Sequence, residues 1–304
     1  TAALMFILDD WHPDLITFVN KGIFNRANYS VNVSDEFMRA VENDDEWYWI
    51  FPETDHPEYN ASWDGNIKGW IARGLPIKQY GHHPARKIWR QMGQMAWETG
   101  NPGLVFLGRA NHISNTWYLE KLVSTNPCGE QILPVNGSCN LGAINLVAHW
   151  DPGEGELDWS QLSRTIEGAV LILDRVIDAS PDITQEIGDL QRRVRRIGIS
   201  TMGLADLLIL KELVYGSEES IEYVDKLYSF ITDKAYKASI KLAEVLGPAP
   251  ALEIDKFLLG GFIHTLSEEI RDGIEKHGIR NMTITTQAPT GTTSILAGVS
   301  SGIE

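Results

Sequence analysis

Asn126-Pro127-Cys128-Gly129-Glu130 puts an amide, a thiol and a carboxylate within five residues, and the second of only two cysteines, Cys139, follows. A thiol can release a hydrogen atom, a carboxylate can take a proton, and a carboxamide offers donors and an acceptor to orient substrate hydroxyls. Pro127 fixes one φ angle and Gly129 reaches conformations closed to other residues, so the peptide suits a tight loop tip holding three side chains together. On composition alone, an ordinary turn around a packed free thiol accounts for these residues equally well. Two cysteines without paired CxxC spacing are too few for a disulfide framework and lack a metal-binding pattern; if they are used, the use is redox or radical. Eleven residues extend to about 36 Å or fold back to a few, so chain reach leaves a Cys128–Cys139 bond open.

A second candidate is Ala288-Pro289-Thr290-Gly291-Thr292-Thr293-Ser294, between the strand-like run Met282 to Thr286 and the apolar Ile295-Leu296-Ala297. A Gly/Thr-rich turn opening a helix presents unpaired N–H groups and hydroxyls, which suits a phosphate. A simple capped helix start explains the same residues. The histidines, including His82, His83 and His112, have no cysteine or carboxylate at ligand spacing, so no metal site is expected. The run Arg192-Arg193-Val194-Arg195-Arg196 resembles a nucleic-acid patch but reads better as a solvated or ion-paired face.

Apolar strand-like runs alternating with helical periodicity predict an α/β fold with buried, mostly parallel strands at Ala3 to Leu8, Asn28 to Val33, Leu104 to Leu107 and Met282 to Thr286. Pro84 starts one helix, through Ile88, Met92 and Ala96 to Gly100. Asp158 and Gln161 are spaced as a cap ahead of the stripe Leu162, Ile166, Val170, Leu173 and Ile177. A third helix follows Ser217, carries Ile221, Val224, Tyr228, Ile231, Ala235, Ala238, Leu242 and Val245, and stops at Gly247-Pro248. Residues 44–82, with Trp47, Tyr48, Trp49, Trp63 and Trp70, read as an aromatic-rich irregular insertion serving packing rather than base stacking.

The chain has 304 residues, 43% of them hydrophobic, and a net charge of −15. That is enough for a large core, and it argues against a broad DNA- or RNA-binding face, which needs clustered Lys and Arg. No apolar run reaches membrane-span length and no targeting signal is evident, so a cytoplasmic protein with no membrane partner is expected. Thr1 leads straight into a strand-like run and the chain stops at Glu304 without a cap or polar tail, the pattern of a single segment, 1–304, truncated at both ends.

The stretch TNPCGEQILPVNGSCNLGAINL resembles the active-site region of ribonucleotide reductase large subunits, in the class II, adenosylcobalamin-dependent form. In order along the chain, LDDWHPDLITFVNKG, NYSVNVSDEFMRAV, AWETGNPGLVFLGRAN, RRIGISTMGLADLL and APTGTTSILAGVSSGIE extend the likeness over nearly all of it. The resemblance implies part of a ten-stranded α/β barrel with the catalytic cysteine on an inner finger loop. It implies that Cys128 becomes a thiyl radical, Glu130 accepts a proton, Asn126 orients the ribose, and Cys139 is one half of a reducing pair whose partner lies upstream. The 288–294 turn would hold the substrate phosphates. A ribonucleotide, most simply a diphosphate, a thioredoxin-like dithiol reductant, the missing portions of the enzyme and a second copy in a homodimer are the implied partners. Three other readings stay open: a class I subunit fed by a separate radical-generating subunit, a non-catalytic nucleotide-binding fragment, and a different thiyl-radical or thiol enzyme on a related barrel.

Overall fold

The computed structural model describes residues 3–21 and 27–304; Thr1, and Gly22 at the end of the LDDWHPDLITFVNKG motif, lie outside them. The chain divides into two compact units, Thr1–Ala110 and Asn111–Glu304.

In the first unit, β1 (Leu4–Asp9) runs through α1 (Leu15–Lys21) to β2 (Ala27–Asn32), and the two strands pair in parallel. Ser34 caps α2 (Asp35–Asn43) by accepting the Phe37 N–H. After β3 (Glu46–Pro52), α3 (Pro57–Ser62) and α4 (Ile67–Ala72), β4 (Ile77–Pro84) returns antiparallel to β3. The chain continues through α5 (Ala85–Thr99), β5 (Gly103–Val105), which pairs in parallel with β2, and α6 (Leu107–Ile113). Leu15, Val19, Val31, Phe37, Ile88 and Met92 form the core between these helices and the sheet. Residues 44–82 are therefore not irregular. They form a long hairpin closed by two short helices, where Trp63 meets Trp70 edge-on at 5.6 Å and the fully buried Trp70 donates Nε1–H to Pro76. Edge-on contacts of Trp70 with Tyr59 and Trp63 pack the two short helices together.

The second unit opens with the hairpin β6 (Leu122–Thr125) and β7 (Ile132–Pro134), followed by β8 (Asn140–Asn145) and the small pair β9 (Trp150–Asp151) and β10 (Glu156–Leu157). Helices α7 (Trp159–Ala179) and α8 (Gln185–Val194) lead to β11 (Ile197–Met202), which pairs in parallel with β8. Then come α9 (Leu204–Leu210), α10 (Glu218–Leu246), α11 (Ile254–Phe257), α12 (Glu268–His277) and α13 (Gly291–Ala297). Asp158 caps α7 through the Gln161 N–H at 2.8 Å, and its five predicted stripe residues are all buried. Helix α10 keeps its predicted ends but turns differently: Leu227, Ile231, Ala235 and Ala238 are buried, whereas Ile221 and Val245 are 60% and 76% exposed.

The architecture is mixed α/β. Among the described residues the strands lie in five separate sheets, with no closed barrel. Every residue of β11 is buried. On the side away from β8 it meets the run 283–286 through a parallel bridge, Ile199 to Thr285, and through bonds from Ile197 N to Thr283 O (3.1 Å) and Ile199 N to Ile284 O (2.7 Å). The strand expected at Met282 to Thr286 is thus a short partner of β11.

Candidate functional site

The Asn126–Glu130 segment is the tip of the β6–β7 hairpin. Asn126 closes it three ways: its N–H donates to Gln131 O (3.1 Å), its Oδ1 accepts the Gln131 N–H (3.0 Å), and its backbone oxygen accepts the Gly129 N–H (3.0 Å). Gly129 sits at φ +89°, where a Cβ is strained, with open space around it. Asn126 was expected to offer both acceptor and donors to a ligand. Here its side-chain oxygen is committed to the loop, which leaves the Nδ2 hydrogens.

The tip rests on β11. The buried Gln131 lies so close to Gly198 that a Cβ there would meet Gln131 Nε2 at 3.0 Å, Leu141 Cδ2 at 2.5 Å and Thr286 Cγ2 at 2.9 Å. Thr286 Oγ1 also donates to the Glu130 carbonyl at 3.0 Å. The loop is therefore fixed to the central strand and its neighbour through Gln131 and the backbone carbonyl of Glu130, not through the Cys128 or Glu130 side chains. Cys128 is exposed; burial of part of its surface pushes its thiol up, and the Glu130 charge adds to that. Glu130 Oε2 is buried without a hydrogen-bond partner, an acceptor ready for an incoming donor.

Cys139 stands one residue before β8, whose Asn140 is registered with Ile197. Burial drives its thiol up to about 12, opposed by Arg196 and reinforced by Glu130. Glu130 thus acts on both cysteines, which the structure leaves as free thiols. Sequence reasoning missed the supports Gly198, Gln131, Thr286 and Arg196. Arg196 lay in the arginine run, where only sign and spacing were legible.

That run is an ion-paired structure. Arg192 bonds Asp182 and Asp189 at 2.7 and 2.9 Å; Arg195, 3% exposed, bonds Asp174 and Asp178 at 2.7 and 2.9 Å; and Arg196 pairs with Glu120. Among the described residues no group of three or more His, Cys, Asp or Glu side chains is placed to hold a metal.

At the other candidate, Ala288 N donates to Ser200 Oγ (2.9 Å), tying the turn to β11, and Thr290 adopts left-handed φ 50°. Gly291, Thr292 and Thr293 are exposed at the start of α13, which has no side-chain cap. Ser294 is buried and Thr290 Oγ1 accepts the Gly302 N–H at 2.8 Å, so these two hydroxyls hold the turn together. One residue, Gln287, separates Thr286, which anchors the Cys128 loop, from Ala288, which opens the turn. A nearby pocket is lined by Ile199, Thr201, Tyr228, Ile231, Thr286 and Gln287, among others; Asn126, Cys128 and Glu130 are not in its wall.

Across residues 1–304 the chain matches the family model described as the ribonucleotide reductase barrel domain. It is 39% identical to the vitamin B12-dependent ribonucleoside-diphosphate reductase of Thermoplasma acidophilum over 99% of the chain and 35% of that protein. A reductase of the same description from Mycobacterium tuberculosis is 34% identical over 99% of the chain and 39% of its own length. The ribonucleoside-diphosphate reductase subunit alpha of Chlamydia pneumoniae is 30% identical over 99% and 32%. The chain spans less than two-fifths of the length of these curated relatives. It belongs to the ribonucleotide reductase barrel-domain family.

Proposed function

We propose that this chain is the catalytic segment of a vitamin B12-dependent reductase that converts ribonucleoside diphosphates to 2′-deoxyribonucleotides by thiyl-radical chemistry. The observation that carries the reading is the hairpin tip, with an exposed thiol beside a buried carboxylate oxygen that lacks a partner and a second thiol under the same carboxylate. Both units are then parts of one barrel domain, completed by the rest of the protein, with the tip as its inner finger loop.

In this reading Cys128 as a thiyl radical takes the 3′ hydrogen atom and re-forms its S–H bond. Glu130 accepts the proton of the 3′ hydroxyl. The C2′–O bond breaks and the 2′ hydroxyl leaves as water. Cys139 and an upstream thiol supply two electrons and two protons, ending as a disulfide, and Cys128 returns the hydrogen atom to C3′. The sum is ribonucleotide plus dithiol to deoxyribonucleotide plus disulfide plus water. Asn126 Nδ2 donates to the ribose, and the N–H groups of Gly291, Thr292 and Thr293 face the diphosphate. A thioredoxin-like dithiol resets the pair, and the enzyme works in the cytoplasm as a homodimer.

Adenosylcobalamin, when bound, supplies the organic radical that oxidises Cys128. The described residues fit the receiving end of that chemistry, an exposed thiol with open space at Gly129. The test is the full-length protein with a ribonucleoside diphosphate, a dithiol and adenosylcobalamin. Deoxyribonucleotide formed without a second protein supports the reading. Product only with a separate metal-containing subunit favours class I, and none under either condition favours a binding fragment.

A further inference from the structure

We propose that the buried Glu120–Arg196 pair is a positioning device that holds a cation beside Cys139 and so sets how readily that thiol ionises. The inference rests on Cys139 being a reducing thiol. Thiolate is the reacting form when a disulfide is made by exchange and the leaving form when an external dithiol breaks it, so thiolate supply bears on the reset as well as on the reduction.

The placement follows from the strands. Asn140 is registered with Ile197 in the parallel β8–β11 pair, so extending that register back by one residue sets Cys139 beside Arg196. The Arg196 side chain is 4% exposed and so is that of Glu120. Glu120 Oε1 takes both the guanidinium and the Thr116 hydroxyl (2.8 Å), and Arg196 Nη1 reaches Thr283 Oγ1 at 3.5 Å. Consecutive arginines are thereby sent apart, with Arg195 held among the α7 carboxylates Asp174 and Asp178 and Arg196 held at the thiol.

Stability alone does not account for the pair. Desolvating two charges costs several kcal/mol per ion, and apolar replacement of such a pair is often neutral or stabilising. Here, moreover, Glu120 Oε2 is buried without a partner. What the pair does supply is a fixed positive charge where burial and the Glu130 carboxylate both oppose ionisation of Cys139. Arg196 and Glu130 act directly on that thiol, and Glu120, in contact with Arg196, offsets part of the guanidinium charge; Asp174, on the helix packed against β8, is occupied by Arg195 and Arg280.

The test uses the full-length protein. Alkylation by iodoacetamide is followed at the Cys139 peptide by mass spectrometry between pH 7 and 10, with the Cys128 peptide as internal reference. Glu120→Gln keeps the hydrogen bonding and leaves the Arg196 charge unopposed, so Cys139 alkylation should be about tenfold faster at a given pH. The neutral double variant Glu120→Gln/Arg196→Gln should be about tenfold slower, and Arg196→Lys within about threefold of the parent. Loosened packing would speed all three, so opposite signs separate charge from structure. Should the double variant not fold, the contrast of Glu120→Gln with Arg196→Lys carries the test. Equal rates, or acceleration in every folded variant, overturn the proposal. Alkylation needs no turnover, so this outcome is independent of whether Cys139 reduces substrate, which Cys139→Ser addresses.

Discussion

The two cysteines lie on either side of one short strand, β7, and their surroundings differ. Cys128 is exposed at a tip tied down by Asn126 and Thr286, whereas Cys139 is largely covered, at the start of β8, beside Arg196. Glu130 acts on both. An exposed thiol on a rigid tip suits a transferred hydrogen atom, and a covered thiol with a fixed cation suits controlled proton loss. In the proposed reading, one residue type acquires two uses through burial and neighbouring charge.

The largest effect that would break this contrast is at Cys139. Cys139→Ser should lower sustained reduction in the full-length enzyme roughly a thousandfold, because members of a catalytic unit fail together. Cys128 alkylation should stay at the parent rate. Turnover near the parent rate would show that the covered thiol is a packing residue.

Next comes the support under the tip. Gly198→Ala forces a Cβ against Leu141, Thr286 and Gln131 and should destabilise the protein by about 1–3 kcal/mol. A tip displaced by an ångström should also slow reduction about a hundredfold, read as kcat falling more than KM rises. Parent-like kcat with a lowered Tm would mean that the strand feels the change and the tip does not.

A third effect, on stability alone, sharpens the role of the cation. Asp10 in the first unit is 1% exposed, with Oδ1 lacking a hydrogen-bond partner, and burial pushes its carboxyl up to about 6, against the relief given by Ser34. No cation is among the groups acting on it. Because the folded state holds the proton more tightly than the unfolded chain, the stability it contributes is full below about pH 4 and is lost as pH rises through about 6. Asp10→Asn should therefore raise stability at pH 8 by up to about 3 kcal/mol, read by hydrogen exchange in β1 and α2, with the difference gone at pH 4. An Asp10→Asn gain that is the same at both pH values would locate the effect in packing.

Local signals carried much of this into the sequence. The Asp158 cap, the α7 stripe, the Pro84 start and the Gly100 and Gly247 stops are short-range devices, and each is found where its residues lie. The strands that build the site were not legible. β11, with Gly198, Ser200 and Thr201, is buried on every residue and so shows no alternation, while β6 and β7 have only four and three residues. Asn126, Cys128 and Glu130 stood out because thiol, amide and carboxylate are chemically unlike their neighbours. Gly198, Thr286 and Arg196 matter through contacts 57 to 156 positions away in sequence, from Gly198 with Leu141 to Glu130 with Thr286, which no local pattern encodes.

The most direct test is single-turnover deoxyribonucleotide formation by full-length Cys128→Ser with adenosylcobalamin and a ribonucleoside diphosphate, beside the parent and with substrate binding measured on both. The account predicts one product per active site in the parent, none in Cys128→Ser, and equal substrate affinity. Product formation by Cys128→Ser at a rate near the parent's would contradict it.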